Sequence, residues 1–240
     1  AYGAGLLALA QRPGGTVAAD VGARIAEVSH ELRTPLTHIL GFAEMIERRV
    51  FGDLNERYSE YAGLIRKSGN HLLGLVNDLL DISRIEAGRY PIAREDFDAR
   101  SLVGEVVRLS ADAAQRKAIV LAMITPETPI MVSADAGALR RIIINLVGNA
   151  LKFSPEGARV TVSAVNSGNA LVLDVADSGP GIPAHERERM AAPYERGAGA
   201  AEGAGLGLSL VRALAALRGG ELSLVEAPGG GALIRVSLPV

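Results

Sequence analysis

His30 and Glu31, within Ser29-His30-Glu31-Leu32-Arg33-Thr34-Pro35-Leu36, set an imidazole beside a carboxylate, a pairing suited to nucleophilic attack with proton removal. Their place on a helix sharpens that reading. Ile25, Leu32, Ile39 and Ile46 share one heptad position, and Val28, Pro35 and Phe42 the position three later, the a/d seam of a helix packed on other helices. His30 then falls at f, facing furthest from the seam, in water where nothing structural needs it. Pro35 stands four residues after Glu31 and has no N–H for that residue's carbonyl, so the helix is expected to kink beside the histidine. A reacting group fits this pattern. A lone surface histidine fits it too, and the rest of the chain decides between them.

Three further groups carry polar chemistry. Asn145, Asn149 and Lys152 lie at i, i+4 and i+7 of an apolar stretch and share one helix face. Two amide oxygens and an ammonium there suit a metal ion and a phosphate chain; they also suit the polar edge of a half-buried helix. Asp177-Ser178-Gly179-Pro180-Gly181-Ile182 follows directly on a strand-like run. A carboxylate at a strand end can accept from an exocyclic amine such as adenine's, and glycines admit a flat ring close to the backbone. An ordinary D-x-G-x-G turn is the alternative. Gly203-Ala204-Gly205-Leu206-Gly207-Leu208-Ser209 opens a helix, whose first N–H groups can meet phosphate oxygens. It lacks the Gly-Lys-Ser/Thr ending of a P-loop and lies far from an N-terminal βαβ unit. The featureless Gly197–Glu202 before it reads as a mobile flap. His38, His71 and His185 have no partners at metal-ligand spacing and are expected at the surface or in a seam.

These groups need elements to hold them. The chain has 240 residues, 48% hydrophobic and 22% charged, which suits one large or two ordinary globular domains. A formal charge of −2 gives no reason to expect nucleic acid or an anionic membrane as partner. With no cysteine, disulfides, thiolate metal sites and a Cys nucleophile are excluded. No apolar run approaches the ~18 residues of a membrane span. The first residue is Ala, and the chain is expected to be a fragment whose upstream part is absent.

Residues 1–19 read as a linker, and helices are expected over 20–50 and 57–87, joined by the turn Phe51-Gly52-Asp53-Leu54-Asn55. The second helix has its seam at Tyr61, Ile65, Ser68, Leu72, Leu75, Leu79 and Ile82. Leu64, Leu73, Val76 and Leu80 widen that stripe beyond what one neighbour can cover. A second copy is the simplest cover, so a homodimer through residues 20–88, a four-helix bundle, is expected. Gly88 is a natural helix stop, and the boundary with the second domain, 89–240, should fall near 88–94. Beyond it, strands are expected at 92–97, 118–124, 130–133, 158–166, 170–177, 221–226 and 231–238, with helices at 100–116, 135–153 and 206–218. That order argues for an α/β sandwich, a sheet covered by helices on one face.

In this order and spacing the segments resemble the sensor histidine kinases of two-component signalling, from about residue 20 to residue 240. Ser29 to Leu36 resembles the H box, Asn145 to Ser154 the N box, Asp177 to Gly181 the G1 box and Gly203 to Gly207 the G2 box. Gly41-Phe42-Ala43-Glu44-Met45, Phe51-Gly52, Tyr58, Tyr61-Ala62 and Asn77-Asp78-Leu79-Leu80-Asp81 are most similar to the PleC/DivJ-type cell-cycle kinases of alphaproteobacteria. The resemblance implies an α+β chain: a dimerising antiparallel helical hairpin, then an α/β sandwich ATP-binding domain of the GHKL type. It implies ATP and Mg²⁺ as cofactors and a response-regulator receiver, of the DivK or PleD kind, as partner. It also implies an upstream sensor segment, with this chain the cytoplasmic part of a membrane-anchored sensor.

The resemblance assigns roles residue by residue. His30 would accept the γ-phosphate of ATP, Glu31 would act as base or orient the ring, and Thr34 would orient water for removing phosphate from the regulator. Asn149, with Asn145 nearby, would bind Mg²⁺; Lys152 would meet phosphate oxygens and Phe153 would line the adenine site. Asp177 would read the adenine amine. Gly179, Gly181, Ile182, Gly203, Gly205, Leu206 and Gly207 would approach base and phosphates, and Arg196 would stabilise the transferring phosphoryl group. One stretch departs from the family pattern. Where two phenylalanines usually precede the lid, Met190-Ala191-Ala192-Pro193-Tyr194 offers Ala191 and Tyr194, so a poorly ordered lid and weakened ATP binding are expected. Two other readings remain: a dimeric phosphotransfer scaffold without ATP hydrolysis, and another ATPase of the same nucleotide fold.

Overall fold

The computed structural model describes residues 32–50, 52–53, 55–190 and 206–239 and divides into two units, Ala1–Tyr90 and Pro91–Val240. The expected linker at 1–19, His30, Glu31, Ala191, Tyr194, Arg196, the flap at 197–202, Gly203 and Gly205 lie outside the described residues.

In the first unit α1 (32–47) and α2 (Glu56–Glu86) form an antiparallel hairpin. The chain reverses where Arg49 (φ 52°) and Gly52 (φ 117°) adopt left-handed backbone. Asn55 caps α2 by accepting the Arg57 N–H at 3.0 Å. Gly88 stops the helix as expected, at φ 66°, with the Arg89 N–H bonded back to the Arg84 carbonyl at 2.8 Å.

The two helices close along small residues. Ala43 and Ala62 are buried, and a Cβ at Gly69 would come within 2.8 Å of Leu40 Cδ2, so Leu40 seats directly on the glycine. Arg66 donates to Glu47 at 2.5 and 3.1 Å, and Arg33 donates to Asn77 at 2.7 Å. This stripe differs from the one the heptad count picks out. Leu32, Ile39, Ile46, Tyr61, Ile65 and Leu72 are exposed, and Phe42 is 63% exposed, whereas Val76 and Leu80 are buried; of the expected α2 seam Ile82 alone is buried. Small side chains let the helix backbones approach, so the hairpin closes on its small face and turns the bulky seam outward.

The second unit is built on a five-stranded sheet of order β2-β4-β5-β7-β6, with β2 (Val120–Ile124), β4 (Arg159–Ser167), β5 (Ala170–Asp177), β6 (Glu221–Glu226) and β7 (Ala232–Pro239). β2 runs parallel to β4 and the other pairs are antiparallel, Val162 facing Val175 and Val175 facing Ile234. Alternation decides the faces: Val160, Val162, Leu171, Leu173, Val175, Ile234 and Val236 are buried, and the residues between them are not. Helices α3 (Ala99–Arg116), α4 (Ala136–Phe153) and α6 (Gly207–Ala216) cover that face, with α4 in the middle. β1 (Glu95–Asp98) and β3 (Met131–Ala134) form a separate antiparallel ribbon whose ends cap helices. Asp98 accepts the Arg100 N–H at the start of α3, and Asp135 accepts the Ala138 N–H at the start of α4. The strands fall close to their expected positions. Ala184–Met190, where no regular element is expected, forms a 3₁₀ turn at Ala184–Glu186 followed by the short helix α5 (Arg187–Met190).

Candidate functional site

Helix α4 is apolar on the side that meets the sheet, where Leu139, Ile142, Ile143 and Leu146 are buried, and Asn145, Asn149 and Lys152 form its polar stripe. Asn145 donates its Nδ2 to the Arg141 carbonyl at 3.0 Å, which leaves its Oδ1 toward the start of α6. A Cβ at Gly207 would lie 3.1 Å from Asn145 Oδ1 and 3.4 Å from Asn149 Nδ2. The N-terminus of α6 and the two amides therefore meet. Ser209 closes the first turn of α6 by donating its hydroxyl to the Leu206 carbonyl at 2.8 Å.

Asp177 ends β5 and is buried, its Oδ1 accepting the N–H groups of Gly179 at 2.8 Å and Ala232 at 3.2 Å. These bonds fold the following turn back over the strand end. Gly181 holds φ 73°, and a Cβ there would press on the Gly231 carbonyl at 3.1 Å. Gly231, at φ 93°, leaves no room for a Cβ against the Asp177 carbonyl. A buried carboxylate is thus fixed at the C-terminal end of the sheet's central strand by backbone donors.

Beside it lies a cavity of about 270 Å³. Five of the expected residues line it: Asn149, Phe153, Asp177, Gly181 and Ile182. Gly179 instead buttresses Asp177, and Leu206 is buried at the start of α6. Lys152 is exposed, with Nζ 5.2 Å from the Phe153 ring centroid, a cation–π contact at the cavity's rim. The walls include residues that sequence reasoning missed: Leu208, Ala232 and Ile234, with Glu186 from the 3₁₀ turn after β5 and Met190 from α5. Another missed contact is Lys117 Nζ, which donates to the Leu151 and Lys152 carbonyls at 2.8 and 2.9 Å and places a cation at the negative end of α4. An apolar slot with a carboxylate at its end suits an aromatic base bearing an amine. His38, His71 and His185 are exposed, and no group of three or more His, Cys, Asp or Glu that could hold a metal occurs among the described residues.

Two family models match in succession. Residues 22–88 match the His Kinase A (phospho-acceptor) domain, and residues 134–240 match the Histidine kinase-, DNA gyrase B-, and HSP90-like ATPase family. The solved mycobacterial sensor histidine kinase MprB is 30% identical, with a TM-score of 0.53, over 61% of this chain and 97% of that one. The chain belongs to the sensor histidine kinases. Among relatives of this family, the Histidine protein kinase DivJ of Caulobacter vibrioides is 48% identical over 219 residues, 90% of this chain and 37% of that protein. This bears out the narrower resemblance to the DivJ type. ShkA, solved at full length in complex with AMPPNP, is 34% identical, with a TM-score of 0.76, over 90% of this chain and 45% of that one. The chain therefore spans less than half the length of DivJ and of ShkA.

Proposed function

We propose that this chain is the core of an ATP-dependent protein-histidine kinase that labels itself on His30 and passes the phosphoryl group to an aspartate of a response-regulator receiver. The observation that carries this reading is the convergence of Asn149, Asp177 and Gly181 on one cavity, in a chain whose preceding region matches a phospho-acceptor domain. Adenine enters the apolar slot with its amine toward Asp177. The phosphates then run toward Asn149 and the start of α6, where N–H groups and the helix dipole favour negative charge. Asn149 and Asn145 fit Mg²⁺, which takes few protein oxygens when phosphates and waters supply the rest. Bound there, the metal would neutralise charge on the phosphate oxygens.

Phosphoryl transfer asks mainly for in-line placement and charge stabilisation. A ring nitrogen of His30 forms the new N–P bond as the bond from Pγ to the β,γ-bridging oxygen breaks and ADP leaves. Glu31 takes the proton from the other ring nitrogen, and Lys152 and Arg196 balance negative charge. Thr34, exposed on α1, fits the reverse task of orienting water for dephosphorylation of the regulator. The exposed seam of Leu32, Ile39, Phe42 and Ile46 supports a homodimer through residues 20–88. No helix among the described residues is long and apolar enough to cross a membrane. An upstream sensor segment, a membrane anchor for it and a DivK- or PleD-like receiver complete the proposal.

Incubation with γ-labelled ATP and Mg²⁺ tests it. Acid-labile, base-stable label should appear and should vanish in His30→Gln. Label that survives that substitution, or ATP turnover with no label, would overturn the proposal, the second outcome favouring an ATPase of another kind.

A further inference from the structure

Pro35 divides α1 into two parts that are held to α2 differently. Beyond the proline, Leu40 seats on Gly69 and Glu47 pairs with Arg66. At the proline the helix is weak. Pro35 donates no backbone bond, and Thr37 Oγ1 donates to the Arg33 carbonyl at 2.9 Å, a back-bond that tends to bend helices. Leu36 is buried here, but the packing of one leucine constrains the direction of the chain loosely. On the other side of Pro35, Arg33 Nη2 reaches across to Asn77 Oδ1 at 2.7 Å, in partly buried surroundings.

That bond is directional and charge-assisted, and it acts on the His30 side of Pro35, three residues from the histidine in sequence. A guanidinium held by an amide oxygen sets the rotation of α1 about its own axis, which apolar contact alone leaves soft. We propose that Asn77 is a positioning residue for phosphoryl transfer: by holding Arg33 it sets the direction in which the chain presents His30. This rests on the reading of His30 as acceptor.

The test measures His30 labelling against ATP concentration in the whole chain. Asn77→Ala should lower the rate at saturating ATP by about tenfold or more, the usual consequence of misplacing a reacting group, with KM for ATP unchanged. Asn77→Asp keeps the accepting oxygen and should stay within about threefold of the parent. Arg33→Gln should be slow too, and the double variant Arg33→Gln/Asn77→Ala no slower than the slower single one, because both remove the same bond. Helical content and melting temperature are followed alongside. A parent-like rate in Asn77→Ala, an equal loss in Asn77→Asp, a raised KM or a hairpin unfolded at the assay temperature would each overturn the inference. His30→Gln is run beside them: label that persists there sinks the reading of His30 itself, whatever residue 77 does.

Discussion

The α/β unit and the helical hairpin are both rich in apolar residues, yet only one of them hides them. In the α/β unit Leu139, Ile142, Ile143, Leu146, Leu171, Leu173, Leu210 and Leu214 are all less than 2% exposed. In the hairpin the best-buried leucine among the described residues is Leu80, at 3%, while Phe42, Tyr58 and Leu64 stand about 60% open. A sheet covered by three helices closes its own core. Two helices can close only one stripe each, and in this pair it joins the small Ala43, Ala62 and Gly69 to only a few larger residues, Leu36, Val76, Leu80 and Ile82. The difference teaches that stability in the first unit should depend on protein concentration, and stability in the second should not.

The comparison breaks most easily at the hairpin. Ile39→Glu with Phe42→Glu places four carboxylates in the expected dimer interface, and should weaken dimerisation by at least about a thousandfold, ~4 kcal/mol. Sedimentation at micromolar concentration should then find monomers. A persistent dimer would mean that this seam is not the interface. In the α/β unit, Ile143→Ala leaves a cavity under α4 and should cost about 3 kcal/mol. Its melting temperature should fall equally at every protein concentration, while the hairpin transition continues to move with concentration. A concentration-dependent loss in Ile143→Ala would erase the distinction between the units.

The same contrast governs what can be read from the residues alone. The sheet is legible because alternation leaves little choice: in Val160, Val162 and Ala164, as in Leu171, Leu173 and Val175, a one-residue slip would turn every apolar side chain to water. The site is legible where a residue type has few other uses. A carboxylate between a strand and a glycine turn, and two asparagines on an apolar helix, do meet near one cavity. Its walls are not legible, because Leu208, Ala232 and Ile234 look like any core residue of their own elements. Glu186 and Met190 lie in a stretch without periodicity. In the hairpin the heptad count finds the right apolar residues but not which stripe faces the sister helix. Alanine and glycine hardly register as apolar, yet their small size decides how closely two helices approach.

Charge separates the units more gently. Asp98 joins β1, α3 and the segment before β3, accepting the N–H groups of Arg100 and Ile130 at 3.1 and 3.0 Å. The Arg100 guanidinium bonds both of its oxygens and also reaches the Pro126 and Glu127 carbonyls. The Arg100 hydrogen bond, against a smaller opposing effect of burial, lowers its pKa from 3.8 to about 2. A carboxyl depressed on folding stabilises fully above its unfolded value, and that contribution drains away as pH falls through about 2, because the unfolded chain takes up the proton first. Asp98→Asn keeps an acceptor for the N–H groups but loses the charge. The parent's melting advantage in the α/β unit, on the order of 1–3 °C, should hold above pH 4 and shrink toward zero near pH 2. In the hairpin, Glu47 is likewise held below its usual value, mainly by its hydrogen bond with Arg66, but that pair is exposed and water weakens it. Glu47→Gln should leave the hairpin transition almost unmoved over the same range. If the acid-sensitive step instead follows Glu47, the ion pair that matters lies between the helices and not at the start of α3.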